Sequence, residues 1–316
     1  MRIYMRKRIL FTGAGGAGTE SLWTTLSDRY ELIFADACKD SIDDIIPISN
    51  KVEIPLANAP EYLVELRKVI LERKIDILVP GVDEELTIIS QNSNQLKVKI
   101  LLPSFEFIEC MLDKLLCIKT MQKKGLAVPR TLLAEDASDI GFPQIIKPRS
   151  GRGSRGVAIV NSIEEVLAYK VFYRAKEGSI ISQELANGVE YTVLIAADMK
   201  ANLKAIVPVK IIQKKGITIR ATTELQSNVV EYCKSFQSKF KVTGLYNLQC
   251  ILTSTGKVIP FEINPRVSTT FCLSIAAGFD PFNSLFETNN KNKVFYPEKK
   301  HTLKRNWHNS IVEINE

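Results

Sequence analysis

Two apolar runs joined by a turn, between residues 244 and 264, constrain the fold of this chain most strongly. Side chains alternate along the first run, Ser-Thr-Gly supplies a turn, and a second apolar run follows, which together predict a β-hairpin. Because side chains two apart on a strand share a face, Glu262 and Asn264 point the same way, and the hairpin brings Gln249 alongside them. One carboxylate and two amide oxygens suit a hard divalent cation such as Mg2+, with Arg266 just beyond.

Composition and charge limit the classes of function. With 316 residues, 45% of them hydrophobic and 24% charged, the chain has the composition of a folded globular protein. Its six cysteines form no Cys-x-x-Cys pair, and its two histidines, His301 and His308, lie near the C terminus, so neither a zinc site nor a histidine base is predicted. The net charge of +7 comes from scattered lysines and arginines, which favours small anionic ligands over nucleic acid. No apolar stretch has the length of a membrane span, and we expect a cytoplasmic protein.

The first hundred residues alternate between short apolar strands and helices, which predicts an open parallel α/β sheet. After a strand at 8–12, residues 13–18 fit Gly-x-Gly-x-x-Gly ahead of a helix, and Asp36 ends the next strand. This pattern is typical of a dinucleotide-binding turn, so a nicotinamide-dependent oxidoreductase is one interpretation; a tight turn without a ligand is the other. Asp83 and Glu84 follow a later strand, where they face either a ligand cleft or solvent in the first turn of a helix.

The middle of the chain contains basic residues that indicate a phosphate ligand. Lys114 lies in the first turn of a helix predicted at 113–124, where a cation is unfavourable beside the helix dipole unless an anion is bound. Lys147 ends a strand and precedes a loop whose backbone N–H groups can approach phosphates. The small residues of this loop are Gly151, Gly153, Ser154 and Gly156. The Walker pattern G-x-x-x-x-G-K-[ST] is absent, so a P-loop is not predicted.

The region between the loop and the hairpin contains further elements. Residues 191–197 and 203–212 predict a second hairpin, which is followed by the basic stretch 214–220. Residues 223–240 predict an amphipathic helix with Leu225 on its apolar face.

Two of these motifs resemble one protein family. The stretch EINPRVS, with VTGLYNLQ before it and AAGFDP after it, and Lys147 with its Gly/Ser/Arg loop are similar to the ATP-grasp superfamily. The similarity is closest to the synthetase halves of carbamoyl phosphate synthetase large chains and covers about residues 8–288. By itself the Glu-x-Asn pattern would better fit a solvated strand face ended by Pro265, and only the wider pattern favours a metal site.

The resemblance implies an α/β fold that becomes α+β in its second part. A Rossmann-like pre-ATP-grasp domain would occupy residues 1–103. The small lobe of the ATP-grasp domain, with a phosphate lid, would occupy 104–182, and the large lobe, with the metal site, 183–290. A polar tail would follow at 291–316.

The resemblance also implies roles for individual residues. The nucleotide would contact Lys114, Lys147, Gly151, Gly153, Ser154, Gly156, Glu184, Leu185 and Glu190, with Glu184 and Leu185 at adenine and Glu190 at ribose or metal. Gln249, Glu262 and Asn264 would bind Mg2+, or Mn2+ in its place, and Arg266 and Lys147 would act in catalysis. Weaker candidates for substrate binding are Lys210, Thr218, Arg220, Asp83 and Glu84. The family region that corresponds to residues 214–220 lines the acceptor side of the cleft, but a charged surface loop explains Lys210 and Arg220 equally well.

The implied reaction is an ADP-forming ligation. ATP phosphorylates a carboxylate to an acyl phosphate, and an amine or ammonia then displaces phosphate to give an amide. The chain has a single ATP-grasp unit, and Gln249 stands where many such ligases have an acid, so we expect a stand-alone ligase rather than carbamoyl phosphate synthesis. Its partners would be small-molecule carboxylate and amine substrates, and a homodimer is compatible with the family. The rivals are the oxidoreductase and a catalytically silent ATP-binding module.

Overall fold

A computed structural model describes residues 6–286 and 293–306, in which three β-sheets form the framework. The first sheet is parallel, with the strand order β3-β2-β1-β4-β5. Its elements and the helices between them are β1 (Arg8–Thr12), α1 (Thr19–Leu26), β2 (Glu31–Asp36), β3 (Lys51–Glu53), α2 (Tyr62–Glu72), β4 (Ile77–Val79), α3 (Asp83–Gln91), α4 (Ser93–Leu96) and β5 (Lys99–Ile100). The central strands are buried on both faces, as expected of a parallel sheet, and the predicted α/β domain is confirmed.

The second sheet is antiparallel, with the order β6-β9-β7-β8. Its strands and neighbouring helices are α5 (Phe105–Leu112), α6 (Lys114–Lys123), β6 (Thr131–Leu133), β7 (Gln144–Pro148), β8 (Ala158–Val160), α7 (Ile163–Phe172) and β9 (Ile180–Glu184). The predicted cap of α6 is confirmed, because the Asp113 carboxylate accepts hydrogen bonds from the backbone N–H groups of Leu115 and Leu116.

The third sheet is also antiparallel, with the order β14-β13-β10-β11-β12-β15. It consists of β10 (Val189–Ala197), β11 (Leu203–Lys215), β12 (Ile217–Thr223), β13 (Gly244–Leu252), β14 (Val258–Asn264) and β15 (Thr302–Lys304). The helices of this part of the chain are α8 (Ser227–Phe240), α9 (Phe271–Ala276) and α10 (Pro281–Ser284). Both predicted hairpins are present, as β10–β11 and β13–β14.

One apolar core joins the parallel sheet to the six-stranded sheet. The Phe11 and Phe34 rings stack with their centroids 5.5 Å apart, and Phe11 meets Phe282 edge-on at 6.2 Å. Leu245 of β13 belongs to the same core. Side chains alternate along β13, so the face that starts at Leu245 continues to Gln249. The parallel sheet therefore packs against the face of the six-stranded sheet that carries Gln249, one of the side chains predicted to bind metal.

The structure differs from the predicted elements in two places. Residues 214–220, for which a charged surface loop is one interpretation, are almost entirely strand, because β11 runs to Lys215 and turns at Gly216 directly into β12. The helix predicted from residue 223 begins at Ser227, and Leu225 lies before it with 56% of its surface exposed. Within residues 291–316, predicted as a polar tail, β15 pairs with β12 as an edge strand. His308 lies outside the described residues.

No helix in residues 6–286 or 293–306 combines the length and the apolar character needed to cross a membrane.

Candidate active site

A cleft between the four-stranded and six-stranded sheets contains two adjoining cavities. The larger has a volume of about 260 Å³ and apolar walls from both sheets, including Ile145 on one side and Ile259 on the other. The residues predicted to bind nucleotide that line it are Lys114, Lys147, Gly151, Ser154, Glu184, Leu185 and Glu190. Apolar walls with a few charged groups are typical of a small-molecule site.

The second cavity, of about 120 Å³, is smaller and more polar. Gln249, Glu262, Asn264 and Arg266 line it together, and Thr218 and Gly153 also contribute. Four residues line both cavities and so mark their junction, namely Ser154, Glu190, Lys214 and Glu262.

Lys147 is a buried cation in the wall of the larger cavity, with 4% of its surface exposed. Its ammonium donates to the side-chain oxygen of Gln183 at 2.9 Å and to the Phe261 carbonyl at 3.1 Å. Burial lowers the pKa of Lys147 to about 8, although the nearby Glu262 carboxylate opposes the shift. Burying a cation among neutral groups is unfavourable, and an anionic ligand would relieve that cost.

Lys114 connects the start of α6 to the glycine-rich loop. Its ammonium donates to the Gly151 carbonyl at 2.6 Å and lies 3.7 Å from a Glu262 carboxylate oxygen. Arg149, two residues after Lys147, has a different role, because it pairs with Asp113, the cap of α6, at 2.6–2.9 Å. Arg149 therefore holds the base of the loop in place and is already paired.

The three glycines of the loop after Lys147 differ in how closely other atoms surround them. Gly151 and Gly153 have φ angles of +116° and +71°, and no atom lies within 4 Å of the position that a Cβ would take. Gly156 lines neither cavity; a Cβ there would lie 3.0 Å from Pro148 and from the Tyr169 hydroxyl. We therefore ascribe Gly156 to packing of the loop against α7, in place of the predicted contact with nucleotide.

The pairing of β13 with β14 positions the side chains predicted to bind metal. Gln249 lies opposite Glu262, and Asn247 lies opposite Asn264. No group of three or more His, Cys, Asp and Glu side chains among residues 6–286 and 293–306 forms a metal site. A cation held by Gln249, Glu262 and Asn264 would have one carboxylate and amide oxygens as ligands. This donor set fits Mg2+, which often takes only one or two protein carboxylates and fills its other positions with water and phosphate oxygens.

The first turn of α3 contacts the cleft through two arginines. Asp83 accepts a hydrogen bond from Arg266 Nε at 2.5 Å, and Glu84 pairs with Arg152 of the loop at 3.0–3.1 Å. Neither acid lines a cavity itself, but both arginines do. Partial burial alone would raise the pKa of Glu84, but its own backbone N–H and Arg152 hold that pKa below its usual range. The parallel sheet thus contributes to the site indirectly.

We expect Glu84→Gln to weaken MgATP binding about two- to fivefold, because a partly exposed ion pair contributes about 0.2–1 kcal/mol to holding the loop closed. Glu135→Gln is the matched control, since Glu135 pairs with Lys170 at 2.7 Å and lines neither cavity. Calorimetric titration of both variants with MgATP measures the difference. Equal affinities would show that the Glu84–Arg152 pair does not hold the loop.

Two of the weaker substrate candidates lie away from the cavities. Lys210 lies opposite Tyr191 on the face of the sheet that packs against α8, and its ammonium is 3.6 Å from Glu224. Arg220 is exposed and lies opposite Lys304 on the edge strand. Neither lines a cavity, so for both residues the surface interpretation agrees with the structure.

The N-terminal glycine turn is closed by groups of the protein itself. The Asp36 carboxylate accepts hydrogen bonds from the backbone N–H groups of Gly15 at 2.8 Å and Cys38 at 3.1 Å. A Cβ on Gly15 would lie 2.1 Å from the Ser41 hydroxyl. In a dinucleotide-binding fold an acid at the position of Asp36 would bind a ribose hydroxyl. Here the Asp36 carboxylate is hydrogen-bonded to the backbone of the protein itself, which favours the interpretation of a tight turn without a ligand.

Sequence reasoning missed three residues of the site. Gln183 and Phe261 contact the Lys147 ammonium, and Lys214 lines both cavities. The strand order brings Gln183 beside Lys147, because β7 pairs with β9, but the linear pattern contains no sign of that pairing. A charged surface loop, one interpretation of residues 214–220, would leave Lys214 outside the cleft.

Comparison with known proteins agrees with this geometry. Residues 111–270 match the family model described as ATP-grasp domain. The chain is 25% identical over 311 residues to the carbamoyl phosphate synthase large chain of Thermotoga petrophila, in an alignment that covers 86% of this chain and 28% of the relative. The corresponding protein of Archaeoglobus fulgidus is 28% identical over 207 residues, covering 58% of this chain and 19% of the relative. The chain thus spans less than a third of the length of these relatives.

Solved structures show the same fold. A carboxyaminoimidazole ribonucleotide synthase from Aspergillus clavatus, complexed with ATP, superposes with a TM-score of 0.70 at 13% identity, covering 94% of this chain and 81% of the other. A biotin carboxylase from Campylobacter jejuni superposes with a TM-score of 0.66 at 18% identity, covering 87% and 69%. The matched segment 111–270 is about half of the chain and contains both the glycine-rich loop and the β13–β14 hairpin, and on this ground the chain belongs to the ATP-grasp family.

Proposed function

We propose that the protein is an ATP-dependent, ADP-forming ligase that joins a small carboxylate to an amine or ammonia through an acyl phosphate. The observation that carries the proposal is the junction of the two cavities at Ser154, Glu190, Lys214 and Glu262. A terminal phosphate that extends from the larger cavity would meet an acceptor in the smaller one at this point. In this proposal residues 1–103 form the pre-ATP-grasp domain, 104–182 the lobe with the lid, 183–290 the lobe with the metal ligands, and 291–316 the tail.

The chemistry needs positioning and charge neutralisation more than a proton-transferring side chain. Lys114 and Lys147 would neutralise phosphate oxygens, and the backbone of Gly151 and Gly153 would approach them closely. Gln249, Glu262 and Asn264 would hold Mg2+, which would supply positive charge to the phosphates. Glu184 and Leu185 would meet adenine.

Arg266 would act on the acceptor side of the transfer. Arg266 lines the smaller cavity and its Nε donates to Asp83, so its planar guanidinium would bind a carboxylate or a phosphoryl group through the remaining N–H groups. A carboxylate oxygen would attack the terminal phosphorus as its bond to the bridging oxygen of ADP breaks. An amine nitrogen would then attack the acyl carbon, releasing phosphate and a proton.

The two alternative functions, a nicotinamide-dependent oxidoreductase and a silent ATP-binding module, predict different ligands and products. An oxidoreductase would need the N-terminal glycine turn, whose acid is already hydrogen-bonded within the protein. A silent module would bind ATP without releasing ADP. The relatives in sequence are named as synthases, which supports an enzyme. ADP release across a pool of carboxylates and amines separates an active ligase from the silent module.

We expect MgATP to raise the melting temperature, whereas NAD and NADP leave it unchanged. Ligand binding to the folded state stabilises it by RT ln(1 + [L]/Kd), or roughly 2.7 kcal/mol at a hundredfold excess over Kd. Thermal denaturation with each ligand, with and without Mg2+, measures the effect. A shift with NADH and none with MgATP would replace the ligase with the oxidoreductase.

A further inference from the structure

Two buried hydroxyl groups face the smaller cavity without a partner in the protein. Thr192 and Thr218 line this cavity with 6% and 7% of their surfaces exposed. In the part of the chain that the structure describes, neither side-chain hydroxyl takes part in a hydrogen bond. Neither is sealed in the core, because the sealed polar side-chain atoms without a partner belong to Gln144, Ser182 and Ser274. Buried polar groups are normally hydrogen-bonded, so a molecule in the cavity has to supply the partner.

The strands place a hydroxyl where an apolar side chain would otherwise pack. Ala196 and Leu194 of β10 belong to the apolar core that joins the six-stranded sheet to the parallel sheet. Side chains alternate along a strand, so Thr192 follows them on the same face, at the point where this core reaches the cavity. Valine has the same shape as threonine and would avoid the cost of a buried hydroxyl that lacks a partner. The hydroxyl of Thr192 therefore points to a ligand and is not explained by packing.

Arg305 fixes the wall that contains Thr218. Its Nη1 donates to the Thr218 carbonyl at 2.5 Å, and its Nε donates to the Ala17 carbonyl at 2.9 Å. Its Nη2 donates to the carbonyl of Thr269, which also lines the smaller cavity. The backbone of Thr218 is thus held before a ligand arrives, which lowers the entropy cost of a hydrogen bond to this residue.

The charged side chains around the smaller cavity are already matched by opposite charges. Its two acids, Glu190 and Glu262, lie 2.7 and 3.7 Å from the ammonium groups of Lys214 and Lys114. Arg266 pairs with the first acid of α3 at 2.5 Å. An acceptor whose carboxylate binds to Arg266 would therefore meet no uncompensated charge that favours a second anionic group or an ammonium group.

We infer that the acceptor is a small hydroxy carboxylate whose hydroxyl group bonds to Thr192 and Thr218. The inference rests on the proposed function. A hydroxyl group is neutral and can both donate and accept, so it can satisfy two threonine hydroxyls at once. The cavity volume of about 120 Å³ is about four times the ~30 Å³ that a water molecule occupies in the liquid, so only a short carbon chain fits.

Matched sets of carboxylates test the inference. Lactate has a hydroxyl group where isobutyrate has a methyl group and alanine an ammonium group; 3-hydroxypropanoate, butyrate and β-alanine form a second set. ADP release by the full chain is measured with MgATP, each carboxylate in both enantiomers where they exist, and hydroxylamine as the amine. We expect kcat/KM for a hydroxy acid to exceed that of both its analogues about ten- to a hundredfold. The analogues displace water but leave the threonine hydroxyls unpaired.

Thr192→Val and Thr218→Val test the two hydroxyl groups directly. Each should lower kcat/KM for the preferred hydroxy acid about tenfold, leave that of its methyl analogue undiminished, and keep the affinity for MgATP measured by calorimetry. Thr222→Val is the control on the same strand as Thr218, because the Thr222 hydroxyl accepts from Thr302 at 3.3 Å and Thr222 lines neither cavity. It should match the parent for every carboxylate. Unchanged discrimination in both cavity variants would overturn the assignment.

The remaining outcomes separate this inference from the proposed function. Faster ADP release with a methyl or amino analogue, or release only with other carboxylates of the pooled assay, would overturn the inference and leave the ligase in place. A chain that binds MgATP but releases ADP with no carboxylate in either assay would overturn the proposed function and the inference with it.

Discussion

Replacing Glu262 with glutamine is expected to lower ADP-forming turnover about a thousandfold, which corresponds to a loss of about 4 kcal/mol of transition-state stabilisation. Glu262 is the only carboxylate among the three proposed metal ligands, and it lines both cavities. The substitution keeps the size of the side chain and removes its charge, so Mg2+ would be held by neutral oxygens alone. The charge that develops during transfer would then be poorly neutralised.

Glu231→Gln is the matched control for this experiment. Glu231 has 69% of its side chain exposed and pairs with Lys234 on the surface of α8, away from both cavities. Rates of ADP release with an identified substrate pair, at several Mg2+ concentrations, measure the loss. Undiminished turnover in Glu262→Gln would remove the β13–β14 hairpin from the active site.

Lys147→Met should abolish tight nucleotide binding while the chain still folds. Lys147 is a buried cation whose hydrogen bonds are to neutral groups, Gln183 and the Phe261 carbonyl. A phosphate in the larger cavity would supply the missing negative charge. Methionine is neutral and cannot form an ion pair with that phosphate. Titration with MgATP, with Lys119→Met on the exposed face of α6 as control, measures the loss. Normal affinity in a folded Lys147→Met protein would make the role of Lys147 structural.

The same variant should change the pH dependence of stability. The pKa of Lys147 is lowered from 10.5 to about 8 in the folded chain, so between these values the unfolded state binds more protons than the folded state. Stability of the parent relative to Lys147→Met should therefore rise as pH increases from about 8 to 10.5, by an amount on the order of 3 kcal/mol. Denaturant unfolding of both proteins across this range gives the difference. A constant difference would contradict the shifted pKa.

The hairpin was predictable because its information is local. Alternation along β13 and β14 determines which side chains share a face, and the short turn determines which residues lie opposite each other. That is why Gln249, Glu262 and Asn264 line one cavity. The cap of α6 was predictable for the same reason, since Asp113 precedes the helix directly.

Lys210 and Lys214 show where local pattern fails. Both are lysines on β11, and only the two register shifts between them turn Lys214 toward the cleft. Bulges of this kind depend on the pairing of whole strands, and the sequence of β11 contains no glycine that would mark them. The pairing of Glu84 with Arg152 joins residues 68 positions apart and likewise depends on the packing of one sheet against another.

The predicted start of the helix after β12 is wrong for a different reason. Gln226 caps α8 by accepting a hydrogen bond from the Asn228 backbone, and glutamine is not among the preferred capping residues. Apolar periodicity therefore extended the predicted helix back to Thr223, which is instead buried at the end of β12. The error moved Leu225 to an apolar face that it does not occupy.

The fate of the carboxylate oxygens tests the central claim most directly. A substrate pair that supports ADP release, found in the pooled assay, is supplied with its carboxylate labelled with oxygen-18. Attack of that carboxylate on the terminal phosphorus, followed by displacement by the amine, must leave one labelled oxygen in the phosphate. We expect ADP, amide and singly labelled phosphate in equal amounts, as measured by mass spectrometry and phosphorus NMR. Unlabelled phosphate, or release of AMP and pyrophosphate, would contradict an acyl phosphate ligase.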